Sequence, residues 1–162
     1  NIFYRCYIMD AIFISLFYSG YVKKWPGTFA SLLSIVLLFP IIKLNIISIE
    51  IFILVFILIF ILSLFFINQF SQLSKTHDSG IIVIDEFLGI YLIFIFYNFI
   101  YFINSYLTIF LIFILFRFFD ILKIFPANII DKRMKNSLGV LLDDLIAAVY
   151  TITILYLFNV YT

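Results

Sequence analysis

Two adjacent carboxylates, Asp85 and Glu86, stand inside the apolar run Ile82–Ile90, and Asp78, Asp120, Asp143 and Asp144 abut other apolar runs. One acid at a bilayer-embedded helix centre costs about 2.5–3.5 kcal/mol, so six would cost on the order of 15–20 kcal/mol. They must lie near a membrane surface, meet cationic partners or hold a metal. Oxygen ligands, with no cysteine cluster and one histidine, suit a hard cation; magnesium is the natural choice and zinc fits poorly. Magnesium usually takes one or two protein carboxylates and completes its shell with water and phosphate. The surplus of acids therefore suggests two ions, or one ion and a residue for proton transfer. Asp120 has Arg117 at i−3 and Lys123 at i+3, a cation–anion–cation fan along one side of a helix. Arg117 as a fork and Lys123 as a point charge would suit phosphate, and phosphate at a hydrophobic boundary implies a lipid headgroup.

Each of these residues also has a plainer reading. Asp85 and Glu86, and likewise Asp143 and Asp144, could stabilise helix N-termini through the macrodipole, worth about 0.3–1 kcal/mol. The Arg117–Asp120–Lys123 fan could be a salt-bridge ladder alone. His77, the only histidine, could donate a proton to a leaving group or serve its loop structurally. Pro26-Gly27-Thr28 opens an apolar helix with Thr28 as the expected N-cap, and helix N-termini also receive phosphate. Cys6 stands alone, which rules out an internal disulfide.

The elements that must position these groups are apolar segments bracketed by polar punctuation: Phe29–Ile42, Ile49–Ile67, Phe87–Ile103, Tyr106–Phe119 and Leu145–Phe158. Only the second is long enough for a ~30 Å hydrocarbon layer, and the others need thinning or shelter by neighbours. The first two form one hairpin and the next two a second. If both hairpins cross, the polar stretches 19–31, 71–86 and 117–144 emerge on one face and can converge. That face carries Lys23, Lys24, Lys75, Arg117, Lys123, Lys132, Arg133 and Lys135, while the far turns are nearly uncharged, so the positive-inside bias puts the site in the cytoplasm. Tyr97, Tyr101 and Tyr106 flank an uncharged turn as an interfacial belt would, or simply pack between helices. Arg5 and Asp10 suit an N-terminal helix lying at the interface better than one crossing it. The opening run to Tyr18 lacks a small-residue cleavage pattern and reads as mature protein.

The expected fold is all-α: a polytopic membrane helical bundle of two transmembrane hairpins, a C-terminal apolar helix and the N-terminal segment. Residues 1–162 form a single membrane-embedded domain. Hydrophobic residues make up 66% of the chain and charged ones 12%, with a mean hydropathy of +1.26, against about 45–50% and 25% in soluble domains. A net charge of +1 without a basic stripe excludes nucleic acid as a partner. A small transport or channel subunit would place ionisable residues along the middle of its spans, whereas here they bunch at the ends. A magnesium-dependent membrane prenyltransferase would show Asp-Asp-x-x-Asp or a similar repeat, and Asp143-Asp144-Leu145-Ile146-Ala147 lacks the final acid. Phosphatases built on paired histidines need a second histidine.

Four lines together resemble the phosphatidylglycerophosphatase A family: PGTFASL (Pro26–Leu32), HDSGIIVIDEFLG (His77–Gly89), FRFFDILKIFP (Phe116–Pro126) and GVLLDDLIAA (Gly139–Ala148). They occur in the family's order and spacing across roughly residues 20–148. The resemblance implies a magnesium-dependent lipid phosphatase of the bacterial inner membrane that converts phosphatidylglycerophosphate to phosphatidylglycerol and phosphate. Its substrate partner would be that phospholipid within the bilayer, and the oligomeric state is left open. It implies as site residues Thr28, Asp78, Asp85, Glu86, Arg117, Asp120, Lys123, Asp143 and Asp144, with His77 a candidate at the substrate. The chain departs from the family at Lys23-Lys24-Trp25, Ile124, Asn136-Ser137 and Ala148; none of these removes a carboxylate or a paired cation.

Overall fold

In a hydrocarbon layer each backbone N–H and C=O must find its partner inside the protein, which favours helices. The computed structural model describes residues 10–74, 80–100 and 104–161, and these are helices and turns with no strand among them. A short helical stretch at 10–14 and a 3-10 turn, Ser19–Tyr21, precede α1, Pro26–Lys43. Then follow α2, Ile49–Ser74; α3, Ile84–Ile95; α4, Tyr97–Ile100; α5, Ser105–Leu122; α6, Ala127–Arg133; and α7, Ser137–Tyr161. The all-helical expectation holds. Four helices are long and apolar enough to cross a membrane: Pro26–Lys43, Ile49–Gln72, Ser105–Leu122 and Ser137–Tyr161.

The expected span Phe87–Ile103 is different. It begins three residues earlier and breaks at Phe96, leaving α3 with 12 residues. That is about 18 Å of helix, short of a ~30 Å layer. The compensation is shelter. Ile84, Phe87, Leu88, Gly89, Ile90, Tyr91, Ile93 and Phe94 are all buried, with α7, α1 and α2 packed around α3. A helix enclosed by others has no need to match the lipid thickness. By contrast α2 turns a stripe of Ile51, Leu54, Leu58, Ile61 and Phe65 outward at helical spacing, as a lipid-facing surface requires.

Packing between helices that share a lipid environment gains little from the hydrophobic effect, so small residues and close backbones matter more. The face that α1 turns inward is Gly27, Ala30, Ser31 and Ser34. The two serine hydroxyls donate to carbonyls four residues back, Ser31 to Gly27 at 2.8 Å and Ser34 to Ala30 at 2.6 Å, which satisfies them without water. On the other side of α3, the Tyr91 hydroxyl donates to the Phe52 carbonyl of α2 at 3.0 Å. A Cβ on Gly89 would lie 2.6 Å from the Phe116 ring of α5 and 3.2 Å from the Asp144 carbonyl of α7. Gly89→Ala should therefore destabilise the protein by about 1–3 kcal/mol through overpacking. Denaturant unfolding in detergent checks this; an unchanged midpoint would mean that α5 and α7 can part at no cost.

The two ends of the bundle differ as the hairpin reading expects. At one end Lys43 Nζ sits 5.4 Å from the Tyr106 ring centre, and Asn159 Nδ2 donates to the Phe99 carbonyl at 3.1 Å. Asn104 caps α5 there, its side chain accepting from Tyr106 N at 2.9 Å. The acids Asp85, Glu86, Asp120, Asp143 and Asp144 gather at the opposite end. Asp10 is buried, and that burial raises its carboxyl pKa from its usual value. Arg5, Cys6, Lys75 and Tyr101 lie outside the described residues.

Candidate active site

Helix ends from four directions supply the site. Asp85 and Glu86 occupy the first turn of α3, where the positive end of the macrodipole favours them. Arg117 and Asp120 come from the last turns of α5, Asp143 and Asp144 from the second turn of α7, and Gly27 from the first turn of α1. Oxygen atoms of Asp85, Glu86 and Asp144 lie within 4.8 Å of one another. Two ionised carboxylates at such a distance repel by about 3–4 kcal/mol at an effective dielectric of 20. Three cannot share the space as anions without a countercharge.

The neighbouring cations do not fully supply it. Arg117 Nη1 is paired with Asp120 Oδ2 and lies 3.6 Å from Glu86 Oε1. Lys123 Nζ reaches Asp143 Oδ2 at 2.8 Å. Among the described residues, Glu86 Oε2 and Asp144 Oδ2 are buried with no hydrogen-bond partner, and so is Arg117 Nε. Buried polar atoms without partners are rare, since each forfeits its hydration, and here two of them belong to the three-carboxylate cluster. All-oxygen donors with unspent lone pairs fit a hard divalent cation, and the adjacent unspent guanidinium N–H fits an anion.

Several expectations change in detail. Thr28 is not the N-cap of α1: the helix starts at Pro26, with Trp25 in the cap position and no side-chain cap bond. Proline at the first helical position has a fixed φ and no N–H to leave unpaired, so the helix opens early. Thr28 then falls in the first turn, beside Gly27. Asp143 and Asp144 do not precede their helix as caps, because α7 begins at Ser137; they are buried within it. Lys123 does not continue the face of α5 that carries Asp120. The helix ends at Leu122, and Lys123 takes a left-handed conformation (φ 43°, ψ 58°) from which its side chain crosses to α7. The Arg117–Asp120 half of the expected fan stands, while Lys123 holds the other half through Asp143. His77 and Asp78 lie outside the described residues.

Sequence reasoning passed over Gly27 and Gly89 as parts of the site. A methyl group on Gly27 would overlap Glu86 Oε1 and come within 3.1 Å of Arg117 Nη1, so a larger residue there would push this pair from its present position. The legible signals were a glycine directly after the helix-opening proline and another three residues beyond Glu86.

Comparison with known proteins identifies a family and one relative. The family model for phosphatidylglycerophosphatase A matches residues 12–159. A Haemophilus influenzae protein described as phosphatidylglycerophosphatase A is 34% identical over 140 residues, covering 86% of this chain and 82% of the relative. No solved structure gives a significant match.

Proposed function

The chain belongs to the phosphatidylglycerophosphatase A family, and we infer that it carries out that hydrolysis at the cluster of Asp85, Glu86 and Asp144. The net reaction adds water across the terminal phosphoester of phosphatidylglycerophosphate. The P–O bond to the glycerol headgroup breaks, its oxygen takes a proton, and phosphatidylglycerol and inorganic phosphate result. The observation that carries this reading is the pair of buried, unpartnered oxygens, Glu86 Oε2 and Asp144 Oδ2, with the unpartnered Arg117 Nε nearby.

Asp85, Glu86 and Asp144 would hold magnesium, which when bound supplies positive charge against the phosphoryl oxygens. Arg117 keeps one edge of its fork on Asp120 and Glu86 and offers Nε to the phosphate, neutralising charge that grows as the bond breaks. Asp120 and Asp143 are positioning residues, the first aiming Arg117 and the second aiming Lys123. The first turn of α1, with Thr28, presents backbone N–H groups on the same side and suits a phosphate oxygen. His77 and Asp78 remain candidates for the substrate and the metal by the resemblance alone. Purified protein should release phosphate from phosphatidylglycerophosphate, stop with a chelator and resume with magnesium. Turnover that persists at full rate after chelation would remove the metal from this reading.

The apolar helices make this a membrane protein. Lys23 and Lys24 precede α1, Lys123 follows α5, and Lys132, Arg133 and Lys135 lie at the end of α6 and before α7, beside the helix ends that carry the carboxylates, which favours the cytoplasmic face of the bacterial inner membrane. In a Cys6→Ser background, single cysteines introduced at Asn104 and Lys132 should label from opposite sides of sealed vesicles, Lys132 from the cytoplasmic side. Labelling from one side only would break the hairpin topology.

A further inference from the structure

α3 opens without a side-chain cap: Val83 holds the N-cap position, and Asp85 and Glu86 follow two and three residues later. The chain that precedes α1 holds this helix start from outside. Val83 N donates to the Ile14 carbonyl at 3.0 Å. Gly20, in the turn Ser19–Tyr21, packs so closely on Ile81 that a Cβ would lie 2.1 Å from the Ile81 carbonyl oxygen. Ile14 and Gly20 thus grip both sides of the approach to α3 from one short stretch. Ser15 closes that stretch. Its hydroxyl accepts from Tyr18 N at 3.1 Å, and its carbonyl accepts from Gly20 N at 3.0 Å and the Ser19 hydroxyl at 2.9 Å. Ile14, Ser15, Ser19, Val83 and Ile84 are buried, which keeps water from competing for these bonds. Between the two gripping residues, Leu16, Phe17 and Tyr18 stand in the left-handed region at φ 45°, 54° and 69°. Such a run of side chains is costly and persists only where its surroundings hold it.

We propose, on the lipid phosphatase reading above, that this stretch is a clasp on the active site. Gly20 is its positioning residue: it sets the first turn of α3 so that Asp85 and Glu86 meet Asp144 and Arg117. Those two partners come from α7 and α5, so a shift of the α3 start changes distances within the cluster while each helix stays intact. Misplacement by about 1 Å can cost an active site as much as 10²-fold. A methyl group at Gly20 would meet backbone rather than a flexible side chain, so Ile81 itself would have to move.

Gly20→Ala tests the clasp in the full chain in detergent. Ser15→Ala is a second variant that adds no atoms, and Asn104→Ala is a control at the far end of the bundle. Two quantities are read below each thermal midpoint: manganese affinity, by electron paramagnetic resonance, and kcat on phosphatidylglycerophosphate at saturating magnesium. Gly20→Ala should weaken manganese binding about tenfold and lower kcat about 10–100-fold. Ser15→Ala should move both in the same direction by less, and it decides the matter alone if Gly20→Ala does not fold. Asn104→Ala should lose thermal stability and keep both wild-type values. Wild-type affinity and kcat in the folded clasp variants, or equal losses in Asn104→Ala, would overturn the clasp and leave the phosphatase reading intact. Wild-type protein that binds manganese but releases no phosphate would overturn the phosphatase reading, while weakened manganese binding in Gly20→Ala would still support the clasp. Wild-type protein that binds no manganese would overturn the cation site and the clasp with it.

Discussion

Asp144→Asn is expected to lower phosphate release by about 10²–10³-fold, the scale on which removal of one preorganised charge-stabilising group slows an enzyme. Asp144 sits in the second turn of α7 with Oδ2 buried and unpartnered, within 4.8 Å of the Asp85 and Glu86 oxygens. Asparagine keeps the shape but removes a charge and one cation-binding oxygen. Asp85→Asn should have an effect of the same size. Neither change should reduce the stability of the metal-free protein, because each relieves repulsion among three close carboxylates. The neighbour Asp143 makes the control. It pairs with Lys123 at 2.8 Å, so Asp143→Asn should cost about 10–100-fold by loosening a cation's aim. Steady-state rates with thermal midpoints on the same preparations separate the cases. Equal losses for Asp143→Asn and Asp144→Asn would erase the distinction between a positioning pair and the central cluster.

Arg117→Ala should be the most destabilising change at the site. Its guanidinium serves two carboxylates, and the side chains of Arg117, Glu86 and Asp120 are 16%, 14% and 13% exposed. Removing one partner of a largely buried ion pair typically costs about 3–5 kcal/mol, because the remaining charge is left uncompensated. Here two carboxylates would be left. Arg117→Lys is the more informative variant for chemistry: it restores a charge but gathers its donors on one nitrogen, so the separate Nε donor offered to the phosphate is lost. Stability should largely return, while turnover should remain about 10–100-fold down. A lysine variant with normal turnover would show that Arg117 acts only as a counter-ion.

Much of this site was readable in the chain because charge is so costly in lipid. Asp85, Glu86, Asp120, Asp143 and Asp144 stand out against an apolar background, and hairpin parity placed them at one end before any helix was located. Less legible were the features set by three-dimensional closeness. α1 and α7 start earlier than Thr28 and Asp143-Asp144 suggest, because an apolar run marks only part of a helix and polar residues continue it wherever neighbours bury or pair them. Nothing local marks Leu122 as a helix end, since Lys123 adopts its left-handed turn to reach Asp143 across the bundle. The split of α3 from α4 was hidden for a related reason: a helix sheltered on all sides carries no length signal. Gly27 and Gly89 read as ordinary glycines until the atoms that would meet their Cβ were known.

Metal binding without substrate shows whether Asp85, Glu86 and Asp144 together hold a divalent cation. Manganese is a suitable probe because it accepts the same oxygen ligands as magnesium. Electron paramagnetic resonance titration of purified protein should show manganese taken up by the wild type, displaced by magnesium, and lost in Asp85→Asn and Asp144→Asn but retained in Asp143→Asn. Undiminished uptake by the Asp85→Asn/Asp144→Asn double variant would move the cation to other ligands.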